Sequence, residues 1–363
     1  MASDRLILFP TVGTLSPDGK FYLLDVHGWI YDPTRQTKLG RAVISVLRQK
    51  LNLIDEGSVT ELFRARSGFF AVYPGKRKAM LLKVGTFYQV SSKANRLGQF
   101  KDILKIPREI VDGQLDGRES GVIRIEASLH TLDHIEQEKL PTTTGECFIL
   151  KDSGVSLVTD IDDTIKHSIV RNKQELLINS FLNPFREIEG MSALYRDLSS
   201  AITSFHYVSA SPWQMFAPLA EFLATEGFPV GSIHLRKFGL KDVTFLKKFS
   251  PSYKQKRKII DALILRFPHR RFIMIGDSGE HDSEMYASLC VKYKTRIAKV
   301  FIRNVAGADN SLRRFQKAFA GVPESVWGTF DDADQLRERL GDYLEPLPSG
   351  TAGQTVPFTS ATG

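Results

Sequence analysis

The segment Val155-Ser156-Leu157-Val158-Thr159-Asp160-Ile161-Asp162-Asp163-Thr164 passes directly from an apolar, strand-like run into paired carboxylates. A second apolar run, Phe272-Ile273-Met274-Ile275, leads through Gly276 to Asp277, and Asp282 follows. Short apolar runs of this kind are typical of buried strands in a parallel sheet. Open α/β sheets bind ligands outside the carboxyl ends of their strands. Two strands that both end in carboxylates therefore predict a metal site at that edge.

The chain from about residue 146 onward alternates between strand and helix patterns. This alternation predicts an α/β domain whose parallel sheet is covered on both faces. We assign the catalytic domain to residues 145–345, and the tail 346–363, rich in Pro, Gly, Ser and Thr, is predicted to be disordered. The predicted strands are 155–160, 203–209, 231–236, 271–276 and 298–303, and the predicted helices are 190–199, 213–226, 252–266 and 282–292.

Residues 1–144 lack this alternation and contain short β-rich runs separated by turns. The exception is 39–53, where apolar residues recur at helical spacing. We expect a mainly β, sandwich-like domain with one helix, which is a candidate interaction or membrane-docking module. The predicted strands are 20–24, 28–31, 79–84 and 121–125.

The composition limits the class of protein. Hydrophobic residues make up 42% of the 363 residues, which is ample for a packed core. Cys147 and Cys290 match no metal spacing, so a reducing compartment is expected. No apolar run approaches the roughly 20 residues that span a bilayer, so we expect a soluble, cytoplasmic protein. The net charge of +8 favours anionic partners, either phospholipid surfaces or nucleic acid.

The residue types at the two strand ends suit phosphoryl transfer, which needs a nucleophile, a proton donor and cations that hold phosphoryl oxygens. Asp160 is a candidate nucleophile because carboxylates form aspartyl-phosphates. Asp162 is placed to protonate the leaving alkoxide and then to activate water. Thr164 is expected to fix the loop or to contact a phosphoryl oxygen. Mg²⁺ prefers oxygen ligands, and Asp160, the backbone carbonyl of Asp162, Asp277 and Asp282 are the candidates.

A single Asp-x-Asp-x-Thr segment is a weak signal, and a solvated acidic turn with Asp163 as a helix N-cap is the ordinary alternative. The order of further elements strengthens it. Ser209 ends the next predicted strand with a hydroxyl, and Lys256 opens a helix ahead of the fourth strand. The acidic segment with Asp277 and Asp282 then follows. Four strand-linked elements in this order favour a phosphotransfer site.

This order resembles that of the haloacid-dehalogenase-like phosphatases. Three longer strings, DIDDTIK (160–166), YVSASPW (207–213) and GDSGEHDSE (276–284), are similar to the actin-patch-associated phosphatidate phosphatase family. The resemblance covers roughly residues 145–335. It implies a Rossmannoid parallel sheet, dependence on Mg²⁺, and removal of phosphate from phosphatidate and related lipid phosphates.

The resemblance also implies a role for each matching residue. The lysine is chosen by its spacing to Phe267-Pro268, with Lys254 and Lys258 left open, and Ser211 is the second choice for the serine. The implied roles are nucleophile and metal ligand for Asp160, acid/base for Asp162, phosphate contact for Ser209, neutralising lysine for Lys256, and metal ligands for Asp277 and Asp282.

The spacing of the motifs leaves little room for a lid. The intervals 164–209 and 209–256 are each shorter than 50 residues, and the sheet and helices need much of both. Any cap should be small and the site open, which suits a bulky substrate such as a membrane lipid or a protein. Trp213 and Met215 are expected to contact acyl chains.

The segment 236–258 carries nine Lys or Arg residues against one acid, with aromatic residues between them. Basic residues near an anionic leaflet contribute about 1 kcal/mol each, so this segment predicts peripheral binding to an anionic phospholipid surface. A solvated basic helix face is the alternative. Charge reversal at Lys247 and Lys248 should then weaken binding to vesicles.

Three functions compete at this point. The favoured one is a Mg²⁺-dependent phosphatidate phosphatase that forms diacylglycerol through an aspartyl-phosphate. The second is a phosphatase for proteins or other phosphomonoesters, including nucleic-acid ends, although nucleic acid is not expected because no stacking motif is visible. The third is a non-catalytic membrane or cytoskeletal adaptor on the same fold, against which the complete set of reactive residues argues.

Overall fold

The computed structural model describes residues 4–53, 55–116, 118–237, 253–306 and 308–343. The predicted tail therefore lies outside the described residues, as does most of the basic segment. The chain divides into two compact units. The first contains the described residues within Met1–Ile44, Phe69–Lys151 and Gly231–Ile233, and the second contains those within Ser45–Gly68, Asp152–Val230 and His234–Gly363.

Nine strands of the N-terminal part belong to one hydrogen-bonded sheet of order β1-β3-β2-β9-β8-β5-β6, with β4 and β7 also paired to β3. The strands are β1 (Arg5–Leu8), β2 (Thr11–Leu15), β3 (Phe21–Gln36), β4 (Val72–Pro74), β5 (Met80–Val84), β6 (Phe87–Val90), β7 (Gln99–Pro107), β8 (Gly121–Leu129) and β9 (Thr143–Ile149). The helices in this part of the sequence are α1 (Lys38–Lys50), α2 (Glu61–Gly68), α3 (Arg108–Leu115) and α4 (His134–Lys139).

The mainly β character of this region is confirmed, but two details of the prediction are wrong. The region has more than one helix. One of the additional helices, α3, buries Val111 and Leu115 against the sheet core, and it was not predicted because its eight residues are too few to show a helical period. The two strands predicted at 20–24 and 28–31 are one strand, β3, which pairs continuously with β7. Buried and less buried residues alternate without interruption through the polar residues Asp25 and His27, so the strand continues across them.

The C-terminal part of the sequence contains a six-stranded sheet of order β12-β11-β10-β13-β14-β15. The strands are β10 (Val155–Thr159), β11 (Ser204–Pro212), β12 (Gly231–Arg236), β13 (Arg271–Asp277), β14 (Ile297–Arg303) and β15 (Trp327–Phe330). The helices are α5 (Lys173–Phe181), α6 (Met191–Leu198), α7 (Phe216–Thr225), α8 (Tyr253–Arg266), α9 (Asp282–Tyr293), α10 (Leu312–Ala318) and α11 (Ala333–Arg339).

The predicted parallel sheet is confirmed. β10 pairs in parallel with both β11 and β13, and β13 and β14 continue the parallel pairing to β15. The chain leaves β10 for β11 and β12 on one side and then returns to β13 on the other. The strand order therefore reverses between β10 and β13, and ligands bind at such switch points in open α/β sheets. Three helices, α5, α10 and α11, and strand β15 were not predicted.

No helix among the described residues is both long enough and apolar enough to cross a membrane.

Candidate active site

Three carboxylates meet where β10 and β13 end. Asp160 follows β10, Asp277 is the last residue of β13 and Asp282 is the first residue of α9. One oxygen from each lies within 4.8 Å of the others, and each residue is at most 1% exposed. The parallel register that pairs Thr159 with Ile275 brings the first two together. Gly276 leaves room for the third carboxylate, that of Asp282, because a Cβ at position 276 would lie only 2.4 Å from Asp282 Oδ2.

Lys256 joins two of these carboxylates. Its Nζ lies 2.8 Å from Asp160 Oδ1 and 2.7 Å from both oxygens of Asp282. The Lys256 side chain is only 1% exposed. Lys254 and Lys258 are on the same helix, but both are exposed to solvent. The structure therefore places Lys256, and neither of the two alternatives, among the carboxylates.

Burial dominates the electrostatics of this cluster. It raises the pKa of Asp160 to about 7, although the charge of Lys256 opposes the shift. Burial, followed by the charges of Asp282 and Asp160, raises the pKa of Asp277 well above its usual range. Burial works against the charged form of Lys256, but Asp160 and Asp282 outweigh it and raise the lysine pKa well above its usual value. One lysine thus faces three buried carboxylates.

Asp277 has an oxygen that suits a cation. Its Oδ1 accepts backbone hydrogen bonds from Gly279 at 2.7 Å and Glu280 at 3.0 Å. Its buried Oδ2 has no hydrogen-bond partner among the residues that the structure describes. A buried polar atom without a partner is costly, and Mg²⁺ prefers such oxygen donors. The donor set of Asp160, Asp277 and Asp282 therefore fits a hard divalent cation.

Asp162 lies in a separate network of donors. Its Oδ2 accepts hydrogen bonds from the hydroxyls of Ser209 at 2.9 Å and Ser211 at 2.8 Å. Its Oδ1 accepts one from Ser168 at 2.7 Å and lies 2.9 Å from Lys166 Nζ. Burial alone would raise the pKa of Asp162, but Lys166 and these hydrogen bonds together lower it below its usual range. Both serines predicted to contact phosphate thus converge on the predicted acid/base.

Asp163 and Thr164 shape the loop between the two reactive carboxylates. Asp163 has a left-handed backbone, with φ at 55°, and its carboxylate accepts the backbone N–H groups of Ser168, Ile169 and Val170 at 2.7–2.9 Å. No helix starts at Asp163, so it is a loop residue and not an N-cap. The Thr164 hydroxyl lies 3.4 Å from Asp160 Oδ2, which makes a weak contact.

Arg314 of α10 holds the acidic loop from outside, and sequence reasoning did not identify it. Its guanidinium donates to the backbone carbonyls of Ser278 at 2.7 Å and Glu280 at 3.1 Å. It also contacts the Ser283 hydroxyl at 3.1 Å and the Glu284 carboxylate at 3.0 Å. These contacts span the loop from just after Asp277 to the first turn of α9. An isolated arginine in a short helix gives no sequence pattern that would reveal this role.

A small cleft opens beside Asp162. Met215, which was predicted to contact acyl chains, lines it, whereas Trp213 is 3% exposed and is not among its lining residues. Lys247 and Lys248 lie outside the described residues. The lining residues are Asp162, Val170, Leu176, Ser180, Phe181, Ala210, Ser211, Pro212, Met215, Arg236 and Glu280.

Residues 155–304 match the sequence model of a family described as "Phosphatidate phosphatase APP1, catalytic domain". An uncharacterized protein of Schizosaccharomyces pombe is 30% identical over 176 residues, which are 47% of this chain and 28% of that protein. Phosphatidate phosphatase APP1 of Saccharomyces cerevisiae is 33% identical over 154 residues, which are 41% of this chain and 26% of that protein. The chain therefore spans under a third of the length of these relatives. A solved carbohydrate esterase aligns with 88% of the chain and 97% of its own, at 9% identity and a TM-score of only 0.22.

Proposed function

We propose that this chain is a Mg²⁺-dependent phosphatase that converts phosphatidate to diacylglycerol. Its residues 155–304 match the catalytic-domain family of phosphatidate phosphatase APP1, in agreement with the resemblance of the three sequence strings to the phosphatidate phosphatase family. The observation that carries the proposal is the cluster of Asp160, Asp277 and Asp282 around Lys256, with Asp162 beside it. A carboxylate nucleophile, a second carboxylate for proton transfer and a cation-binding set are the parts that phosphoryl transfer needs.

In the first step, a carboxylate oxygen of Asp160 attacks phosphorus and forms an aspartyl-phosphate. Lys256 holds Oδ1 at 2.8 Å, whereas the one contact of Oδ2 among the described residues is with the Thr164 hydroxyl at 3.4 Å, so Oδ2 is the attacking atom. The bond from phosphorus to the ester oxygen breaks, and Asp162 protonates that oxygen. In the second step, Asp162 takes a proton from water, whose oxygen attacks phosphorus. The bond between phosphorus and the Asp160 oxygen breaks, which regenerates the carboxylate and releases inorganic phosphate.

Asp162 must carry a proton to act as the acid, yet its surroundings favour the ionised form. Ser209 and Ser211 donate to it at 2.9 and 2.8 Å. Incoming phosphoryl oxygens compete for both hydroxyls. Because hydrogen bonds to a carboxylate lower its pKa, losing these two donors raises the pKa of Asp162 toward the protonated form. The two serines thus couple substrate binding to the protonation of the acid.

The carboxylates of Asp160, Asp277 and Asp282, together with the backbone carbonyl of Asp162, would hold Mg²⁺. A cation there supplies positive charge that neutralises the phosphoryl oxygens and the buried carboxylates. Lys256 contributes a second positive charge next to Asp160, which offsets the repulsion between the nucleophile and an anionic substrate.

The wider parts of the proposal follow from this site. We propose a haloacid-dehalogenase-like, Rossmannoid fold, which the switch point between β10 and β13 supports. The short intervals 164–209 and 209–256 support a small cap. We also propose a cytoplasmic protein that acts at the periphery of anionic membranes, which the net charge of +8 supports.

The N-terminal β unit is then a candidate docking module. Charge reversal at Lys247 and Lys248 should lower co-sedimentation with anionic vesicles, and unchanged co-sedimentation would argue against this membrane role.

The deciding experiment measures phosphate release from phosphatidate in mixed micelles, with Mg²⁺ and with EDTA, for the wild type and Asp160→Asn. We expect release that requires Mg²⁺ and disappears in the variant. Release from a small aryl phosphate but not from phosphatidate would retain the phosphatase and reject the lipid substrate. No release from either substrate would favour a non-catalytic adaptor.

A further inference from the structure

We propose that Arg66, on helix α2, is a positioning residue that holds the general acid Asp162 in its place. This inference rests on the proposed phosphatase function, and it gives a part in the reaction to a segment far from the motifs. Helix α2 lies outside residues 155–304, which match the catalytic-domain family. The described residues within Ser45–Gly68 nevertheless belong to the same compact unit as Asp162.

Arg66 is a buried arginine that binds the end of helix α5. Its side chain is on the buried side of α2, and the residue is 6% exposed. The guanidinium Nη1 donates to the backbone carbonyls of Ser180 at 3.0 Å and Asn183 at 2.8 Å. The last carbonyls of a helix have no partner within the helix, and the helix dipole favours a cation beside them. Arg66 therefore fixes the C-terminal end of α5 and the first residues after it.

The ring of Phe185 links Arg66 to the reactive loop. The Arg66 Cζ lies 3.8 Å from the centroid of this ring, and Lys166 Nζ lies 4.7 Å from the same centroid. Cations at this distance are attracted by the face of an aromatic ring. Lys166 Nζ in turn lies 2.9 Å from Asp162 Oδ1. Arg66 thus holds the ring, the ring holds the lysine, and the lysine holds one oxygen of the acid.

A second route from Arg66 to the acid runs through two asparagines. Asn183, whose carbonyl accepts from Arg66, donates through its side chain to Asn179 Oδ1 at 2.9 Å. The Asn179 amide donates to the backbone carbonyl of Ser168 at 3.3 Å. The Ser168 hydroxyl then donates to Asp162 Oδ1 at 2.7 Å. Both routes therefore end on the same oxygen, Asp162 Oδ1.

Fixing Oδ1 determines where the other oxygen of Asp162 lies. The hydroxyls of Ser209 and Ser211 donate to Oδ2, and both serines are predicted to contact phosphate, so Oδ2 faces the substrate. A general acid must come within about 2.6–3.2 Å of the atom that it protonates. A displacement of about 1 Å can cost on the order of 10²-fold in rate. Loss of Arg66 should therefore impair proton transfer to the leaving group.

The test uses three phosphate esters that differ in how much their leaving group needs a proton. Phosphatidate in mixed micelles releases an alkoxide, phenyl phosphate releases a phenolate, and 4-nitrophenyl phosphate releases a nitrophenolate that is stable without a proton. The value of kcat/KM is set by the steps that start from free enzyme and end with release of the alcohol. Hydrolysis of the aspartyl-phosphate, which is common to all three esters, does not enter it.

Two variants interrupt the route from Arg66 to Asp162. Arg66→Met keeps an unbranched side chain but removes the charge and the donors, and Phe185→Leu removes the ring at a half-buried position. Each should lower kcat/KM at least tenfold more for phosphatidate than for 4-nitrophenyl phosphate, with phenyl phosphate between them. Arg64→Met is the matched control, because Arg64 is on the same helix but exposed, and its three values should keep the wild-type ratios.

Circular dichroism checks the fold of each variant, and Phe185→Leu decides the question if Arg66→Met does not fold. Equal losses on the three esters, or no loss, would overturn the positioning role, because a general structural defect does not distinguish leaving groups. If the wild type does not hydrolyse phosphatidate, the two aryl esters alone carry the comparison.

Asp162→Asn separates this inference from the function on which it rests. It should show the same order of losses, with the largest loss on phosphatidate. Equal losses on all three esters in Asp162→Asn would overturn the assignment of Asp162 as the acid, and the role of Arg66 with it. Absence of phosphate release from every ester by the wild type would overturn the phosphatase function itself.

Discussion

Replacing Lys256 with Met should destabilise the protein strongly when divalent cations are absent. Lys256 is the positive charge that contacts Asp160 and Asp282, and the side chains of all three residues are only 1% exposed. Removing one partner of a buried ion pair leaves the other charge uncompensated, which costs about 3–5 kcal/mol. For a folded unit of this size, each kcal/mol corresponds to about 2–4 °C in Tm. Lys256→Met should therefore lower Tm by roughly 10 °C.

The assay is thermal unfolding at pH 8 in EDTA, followed by circular dichroism. Lys258→Met is the matched control, because Lys258 is on the same helix but exposed, and its Tm should stay within about 1–2 °C of the wild type. Lowering the pH should reduce the deficit of Lys256→Met. The pKa of Asp160 is already raised to about 7, and it rises further without the lysine, so acid neutralises the uncompensated charge.

Two results would refute this reasoning. A Tm for Lys256→Met equal to that of the wild type at pH 8 in EDTA would mean that the lysine does not compensate the carboxylates. An equal loss in Lys258→Met would assign the effect to helix charge in general. Adding Mg²⁺ gives an independent check, because a cation that binds only the folded state raises Tm. The increase should be larger for Lys256→Met, in which no lysine competes for the carboxylates.

Three further predictions concern the same cluster. In EDTA, the free energy of unfolding of the wild type should fall as the pH rises from about 4 to about 7, because the raised pKa of Asp160 means that folding opposes its ionisation. Chemical denaturation should show a smaller fall for Asp160→Asn. Gly276→Ala places a Cβ 2.4 Å from Asp282 Oδ2 and should lower the free energy of unfolding by about 1–3 kcal/mol, which urea titration measures. Arg314→Met should raise the Mg²⁺ concentration for half-maximal activity about tenfold without changing the circular dichroism spectrum, whereas the exposed Arg313→Met should not.

The sequence predicted the sheet of the second unit because its strands are continuous apolar runs. Leu157 and Val158 in β10 are fully buried, and so is the whole run 272–275 in β13. Carboxylates directly after these strands also predicted which side chains would meet, since parallel strands bring their carboxyl ends to one edge. The elements that escaped prediction are short. Strand β15 has four residues and helix α10 has seven, too few to display a period.

The partners of Asp162 show a different limit of sequence reasoning. Lys166 and Ser168 lie four and six residues further along, so their proximity in sequence was plain. Their convergence on Asp162 depends on the left-handed backbone of Asp163, with φ at 55°. A non-glycine residue gives no clear sign of that conformation, because most side chains disfavour it. The chain reversal, and with it the second lysine of the site, therefore became visible only in three dimensions.

Burial at Asp160 and Lys166 beside Asp162 shift the pKa values of these two residues in the directions opposite to those that the proposed reaction needs. Asp160, the nucleophile, must be ionised, yet burial raises its pKa to about 7. Asp162, the acid, must be protonated, yet Lys166 and the surrounding hydroxyls lower its pKa. A cation on the carboxylate cluster favours ionisation of the first residue, and a phosphoryl group that takes the hydroxyls of Ser209 and Ser211 favours protonation of the second. Each ligand corrects one residue only, so the acid and the nucleophile are both ready only when cation and substrate are bound together. Such a site would hydrolyse little in the absence of either.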